Sequence, residues 1–206
     1  MLVRRISASP PLRSSAASLL HSFVAVLTAV QAQPHHGAVG ATSRQLVQAQ
    51  FRRASIGGAI RGPDGRVVIA FAETADHWCI GVVEARALTR GLRLALACFM
   101  ERLVVEGDDL VLIQLLRGEE TQTRIPAAVH DEIVTLLGCF AEVEVQHIYR
   151  EGNQVADGLC RQAYRYPGVW TTAAYLSPAV AEKVDEDRRG VAHERLCKPR
   201  AGVTTA

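Results

Sequence analysis

Residues 147–157 read His-Ile-Tyr-Arg-Glu-Gly-Asn-Gln-Val-Ala-Asp and bring three kinds of chemistry within eleven positions. Val143, Val145 and Ile148 alternate with Glu142, Glu144 and Gln146, the two-residue period of a half-buried strand. The strand ends in a glycine-containing turn, and a helical pattern opens near Gln154. His147 therefore stands at a strand end, Asn153 in the connecting loop and Asp157 one turn into a helix, with Arg150 between them. An imidazole, an amide and a carboxylate so placed overhang one edge of a sheet. Only there can loop and helix groups converge on one point for acid, base or ligand work.

Other carboxylates could reach the same point. Val83, Ala87, Leu88, Leu92, Ala95, Leu96 and Phe99 recur at three and four, an amphipathic helix over 82–100 with Glu84 in its first turn. A carboxylate there favours the helix dipole by ~0.3–1 kcal/mol, which accounts for Glu84 without any catalytic role. Leu103–Glu106 reads as a short strand, followed by Gly107-Asp108-Asp109 and a helix over 110–116. Acids at that junction serve as an N-cap and its neighbour, or as metal-binding groups projecting from a strand end.

The elements that must position these groups follow in order. Ile56–Arg61 and Arg66–Ala72, joined by Gly62-Pro63-Asp64-Gly65, predict an antiparallel hairpin in which Asp64 belongs to the turn. A short strand at Leu46–Phe51 precedes it. A helix over 127–140 lies before the last strand, and the helix from Gln154 stops before Pro167. A hairpin-built half feeding βαβ units predicts a mixed sheet with helices on its faces.

Residues 46–166 carry 13 basic and 16 acidic residues, so the domain is slightly acidic and is not a general nucleic-acid sponge. Residues 1–45 hold four Arg and no acid, with an apolar run over 18–30. They read as a disordered segment resembling an organellar transit peptide or a secretory signal, or as translated sequence with no targeting role. Pro34-His35-His36-Gly37 closes that segment as a linker. Residues 167–206 read as a polar, solvated tail. Five cysteines without a CxxC pair imply reduced thiols in or near a core, and no stretch reaches the ~20 apolar residues of a membrane span.

Glu84 opening a helix after three strands, Val104-Val105-Glu106-Gly107-Asp108 ending a fourth, and His147, Asn153 and Asp157 after a fifth together resemble the ribonuclease H family. The plant reverse-transcriptase-like domains share phrases such as Gly57-Gly58-Ala59-Ile60-Arg61 and Arg150-Glu151-Gly152-Asn153. The likeness covers residues 46–166 and implies a five-stranded mixed sheet, its first three strands antiparallel. It also implies a monomeric hydrolase, an endonuclease that cleaves the RNA strand of RNA–DNA hybrids with two Mg²⁺, or with Mn²⁺. The family site has four acids. Three match Glu84, Asp108 and Asp157 as metal ligands, with Asp109 the weaker candidate beside Asp108. His147 matches a mobile histidine assisting proton transfer or product release, and Asn153 and Arg150 match residues near substrate. Phosphodiester cleavage needs an activated water, an in-line leaving oxygen and compensation of charge, which two hard cations held by oxygen ligands supply. Gathering carboxylates without metal should raise the pKa of one of them.

The departure is at the first acid. Aligning Phe51 with the family's aromatic puts Gln48 at the Asp position, and no Asp or Glu precedes Asp64. Either the amino-terminal segment is not the one such a domain ordinarily carries, or this copy has decayed; the change of composition at residue 45 fits both. The alternative to an enzyme is then a catalytically inactive nucleic-acid-binding or mobile-element-derived domain.

Overall fold

The structure is a computed structural model that describes residues 24–33, 53–75 and 79–191. Three strands come first: β1 (Val24–Gln33), β2 (Arg53–Arg61) and β3 (Val67–Ala75). Helix α1 (Ile80–Ala97) follows, then β4 (Arg102–Gly107), α2 (Leu110–Leu116), α3 (Ala127–Leu137), β5 (Glu142–His147) and α4 (Gln154–Ala163). A three-residue strand, β6 (Gly168–Trp170), and helix α5 (Pro178–Arg188) end the described chain. The sheet order is β5-β4-β1-β2-β3-β6. β2 lies antiparallel to both β1 and β3, whereas β4 lies parallel to both β1 and β5, as the hairpin-then-βαβ reading predicts.

The two faces of the sheet are unlike. Ile60 and Ile69, with Leu103, Val105 and Val145, pack against Leu88 and Leu92 of α1 and against Ile113 and Ile133 of α2 and α3. The opposite face of β2 and β3 is built from Ala59, Ala70 and Ala72, and α4 lies on it through Val155, Leu159 and Ala163. Small side chains let this helix approach closely. A Cβ on Gly57 would stand 2.6 Å from the backbone nitrogen of Cys160. Gly57 is therefore a spacing requirement between β2 and the helix that carries Asp157.

Three expectations need correction, and a fourth is not reached. The strand anticipated at Leu46–Phe51, with Gln48, lies outside the described residues, as does the linker over 34–37. The central strand instead comes from Val24–Gln33, inside the segment read as targeting-like or disordered. β-branched Val24, Val26, Thr28 and Val30 at a period of two suit a strand, and pairing on both sides satisfies its backbone. The sheet has six strands rather than five, β6 extending the β3 edge. The region from 167 is not simply a solvated tail. Leu176, Val180 and Val184, four apart, are buried against α4 with Ala59 and Ala70. Arg61, at the end of β2, binds Glu106 at 2.8 Å and also pairs with Asp187 of α5, tying this helix to the sheet.

Smaller readings hold or shift in the same way. Asp64 Oδ1 accepts from the Arg66 backbone nitrogen at 3.0 Å, a turn role. Cys160 is buried, but Cys98 and Cys139 are exposed, so the thiols are not all core groups; Cys197 lies outside the described residues. Among the described residues no helix is long and apolar enough to cross a membrane.

Candidate active site

The strand ends of β4 and β5 and the start of α4 meet at one rim. Parallel pairing sets Gly107 beside His147 and beside Thr28, and the Ile148 backbone nitrogen donates to the Gly107 carbonyl at 3.0 Å. Asp108 is the first residue past β4, so it leaves the sheet where His147 ends β5.

The two adjacent acids divide their roles. Asp109 is the N-cap of α2, its Oδ1 accepting from the Leu112 nitrogen at 3.1 Å. Asp108 is bound instead across the rim by the fully buried Asn153, whose Nδ2 donates to Asp108 Oδ1 at 2.8 Å. Asp109→Ala should thus cost about 1 kcal/mol in thermal unfolding, most of it restored by Asp109→Asn, as expected of a cap.

Glu84 is the fifth residue of α1, and the first turn of that helix carries no acid. It is not in the first turn as anticipated, and helix-dipole capping does not account for it. It is buried, and its carboxyl is pushed up to about 9 by loss of solvation and then by the negative charges of Asp108, Asp109 and Asp157, against Arg150. Asp157, in the first turn of α4, is also buried. Burial raises its pKa, opposed by Arg150 and reinforced by Asp108. Arg150 Nε stands 3.4 Å from Asp157 Oδ2, its own side chain two-thirds exposed. The rise at Glu84 is first the cost of burying a charge, with the repulsion expected of gathered acids adding to it.

All six anticipated residues therefore fall at one rim: Glu84, Asp108 and Asp157 within reach of one another's charge, Asn153 on Asp108, Arg150 on Asp157, and His147 at the neighbouring strand end. Sequence reasoning passed over Tyr149. Its ring meets that of His147 edge-on, centroids 5.5 Å apart, and it is exposed. An aromatic two positions from a strand-terminal histidine was the available signal.

The fit to a metal is incomplete. The donors are hard oxygens suited to Mg²⁺, yet among the described residues no three His, Cys, Asp or Glu groups are placed to hold an ion together. Asp108 is engaged by Asn153 and Asp157 by Arg150. The strand between β4 and β2 contains no Asp or Glu. As arranged, the site gathers negative charge without closing a coordination shell.

A mixed sheet with acids at this rim is the ribonuclease H-like fold, and solved structures agree. The N-terminal ribonuclease H domain of a Mycobacterium tuberculosis protein matches with a TM-score of 0.57 at 16% identity, over 69% of this chain and 94% of that one. Ribonuclease H1 from the halophilic archaeon Halobacterium salinarum NRC-1 matches at 0.53 and 21%, covering 69% and 96%. LC11 ribonuclease H1, solved in complex with an RNA/DNA hybrid, matches at 0.53 and 18%, covering 69% and 96%. No curated protein matches the chain. Residues 44–163 match the reverse transcriptase-like family, and the chain belongs to that family.

Proposed function

We propose that this domain binds RNA–DNA hybrids at the rim of Glu84, Asp108 and Asp157, and that its Mg²⁺-dependent hydrolysis of the RNA strand is crippled. The observation that carries this reading is the acid-free central strand Val24–Gln33 beside an otherwise assembled set of family residues. In the intact arrangement metal ions would activate water and offset charge at phosphorus. In this chain, Asn153 orients Asp108, Arg150 offsets Asp157, and burial holds Glu84 protonated near neutral pH. Each of these favours a site that receives a phosphate without completing its cleavage.

The experiment is binding and cleavage of a labelled hybrid with and without Mg²⁺. Salt-sensitive binding is expected, with RNA cleavage slower than an intact site by a factor on the order of 10³, the scale of several kcal/mol on the barrier. Pairing of Thr28 with Gly107 sets Thr28, Ala29 and Val30 level with Asp108. Asp placed at each of these in turn, and at Gln48, should restore turnover at one position. Loss of salt-sensitive hybrid binding would sink the reading, as would efficient wild-type cleavage that survives Asp108→Asn.

A further inference from the structure

Helix α4 does more than deliver Asp157. Together with the first turns of α5 it walls a groove of about 980 Å³ that begins at Arg150 and Asp157 and runs along α4 to Tyr166. Its charged lining is Arg150, Arg161, Arg165 and Lys183 against Glu151 and Asp157. Lys183 is held by Glu186 at 2.7 Å. Arg161 and Arg165 are both exposed, and neither forms an ion pair among the described residues. They follow Asp157 by four and eight residues, Arg161 within α4 and Arg165 in the turn just past its end. Tyr166 beside them is 67% exposed.

The groove is a fixed feature of the fold. Val180 and Val184 are buried under α4, the Ser177 nitrogen donates to Gln162 Oε1 at 3.0 Å, and Arg61 anchors Asp187. A cluster of carboxylates repels a polyanion, so a nucleic acid held at this rim needs cations close by. An open, elongated, basic groove ending in an exposed aromatic suits a polymer with regularly spaced phosphates.

From this juxtaposition we propose that the groove between α4 and α5 is a second nucleic-acid contact, gripping the phosphodiester backbone of a strand as it leaves the acidic rim. Arg161 and Arg165 take phosphates, and Tyr166 offers a ring to a base. The proposal rests on the nucleic-acid reading above and adds to it the end of α4 and the wall that α5 builds beside it.

Anisotropy titrations of a blunt labelled RNA–DNA hybrid over a range of salt test it. The double variant Arg161→Ala/Arg165→Ala should bind at least about tenfold more weakly, with the slope of log Kd against log salt shallower by about 2. Arg161→Lys/Arg165→Lys keeps both charges and should recover most of that slope. Arg93→Ala removes an exposed arginine paired with Glu132 on another helix and should change neither quantity. A double alanine variant with wild-type affinity and slope overturns the groove while leaving hybrid binding intact. Equal loss in Arg93→Ala overturns it too, since the effect would then be general charge. Absence of salt-sensitive binding by the wild type overturns both this proposal and the reading beneath it.

Discussion

Replacing Glu84 with glutamine should stabilise the protein by about 3 kcal/mol at pH 7 in the presence of a chelator. The wild-type carboxyl titrates at about 9 when folded and at its ordinary value of 4.5 when exposed. Above pH 4.5 the unfolded chain releases a proton that the folded chain keeps, so the unfolded state binds fewer protons and stability falls as pH rises. The slope is ~1.4 kcal/mol per pH unit. Stability from this group is thus fully present below pH 4.5 and is progressively lost up to about pH 9, beyond which the loss levels off. At pH 7 the chain is about 2.5 units into that window, which sets the figure and caps it, because a buried group that stays protonated avoids the larger cost of ionising. Glutamine keeps the shape and cannot ionise, so its profile should lack this slope, and the two proteins should converge near pH 4. Urea unfolding at pH 4, 7 and 9 measures it. Parallel profiles for the two proteins would show that burial and the carboxylates around Glu84 do not act on it as their placement implies.

That result depends on depth and desolvation, which the sequence carries poorly. Periodicity was enough for α1, for the β2–β3 hairpin and for the strand-to-helix phrase holding His147, Asn153 and Asp157, because each has a local repeat. The same local evidence could not separate a cap from a site acid. Asp108 and Asp109 are chemically identical neighbours, and only the hydrogen bond from Leu112 assigns one to the helix and leaves the other to Asn153. Glu84 looked like a first-turn residue because the helix seemed to open at 82, and two residues of difference at the start changed its explanation.

Larger misreadings have one cause. An apolar run with β-branched residues can be a strand, a buried helix or the core of a targeting segment, and periodicity alone does not separate them. Val24–Gln33 becomes the central strand through its pairing with Arg53–Arg61 on one side and Arg102–Gly107 on the other, both remote in sequence. Similarly, the charges at Asp185–Arg189 outweighed the four-residue spacing of Leu176, Val180 and Val184. That spacing acquires meaning only once α4 is there to cover it.

The largest loss of stability should come from the smallest addition, one methyl group at Gly57. Its Cβ would lie 2.6 Å from the Cys160 nitrogen and 2.9 Å from both the Ala156 oxygen and the Leu159 carbonyl carbon. These are backbone atoms of α4, so no side-chain rotation relieves the contact, and the helix must lift from the sheet. Overpacking that side chains can absorb costs about 1–3 kcal/mol, and a collision with helix backbone should reach or exceed the top of that range. Gly57→Ala should therefore lose at least about 3 kcal/mol in urea unfolding. Because α4 carries Asp157 and follows Asn153, the displacement should also flatten the pH dependence assigned to Glu84. Gly152→Ala, in the other family phrase, is the matched control: its Cβ would meet nothing within 4 Å, so a change within about 0.5 kcal/mol is expected. Equal stability of the two alanine variants would mean that the helix is not held as close to β2 as its small-residue face allows, and the packing that sets the carboxylates together would need another explanation.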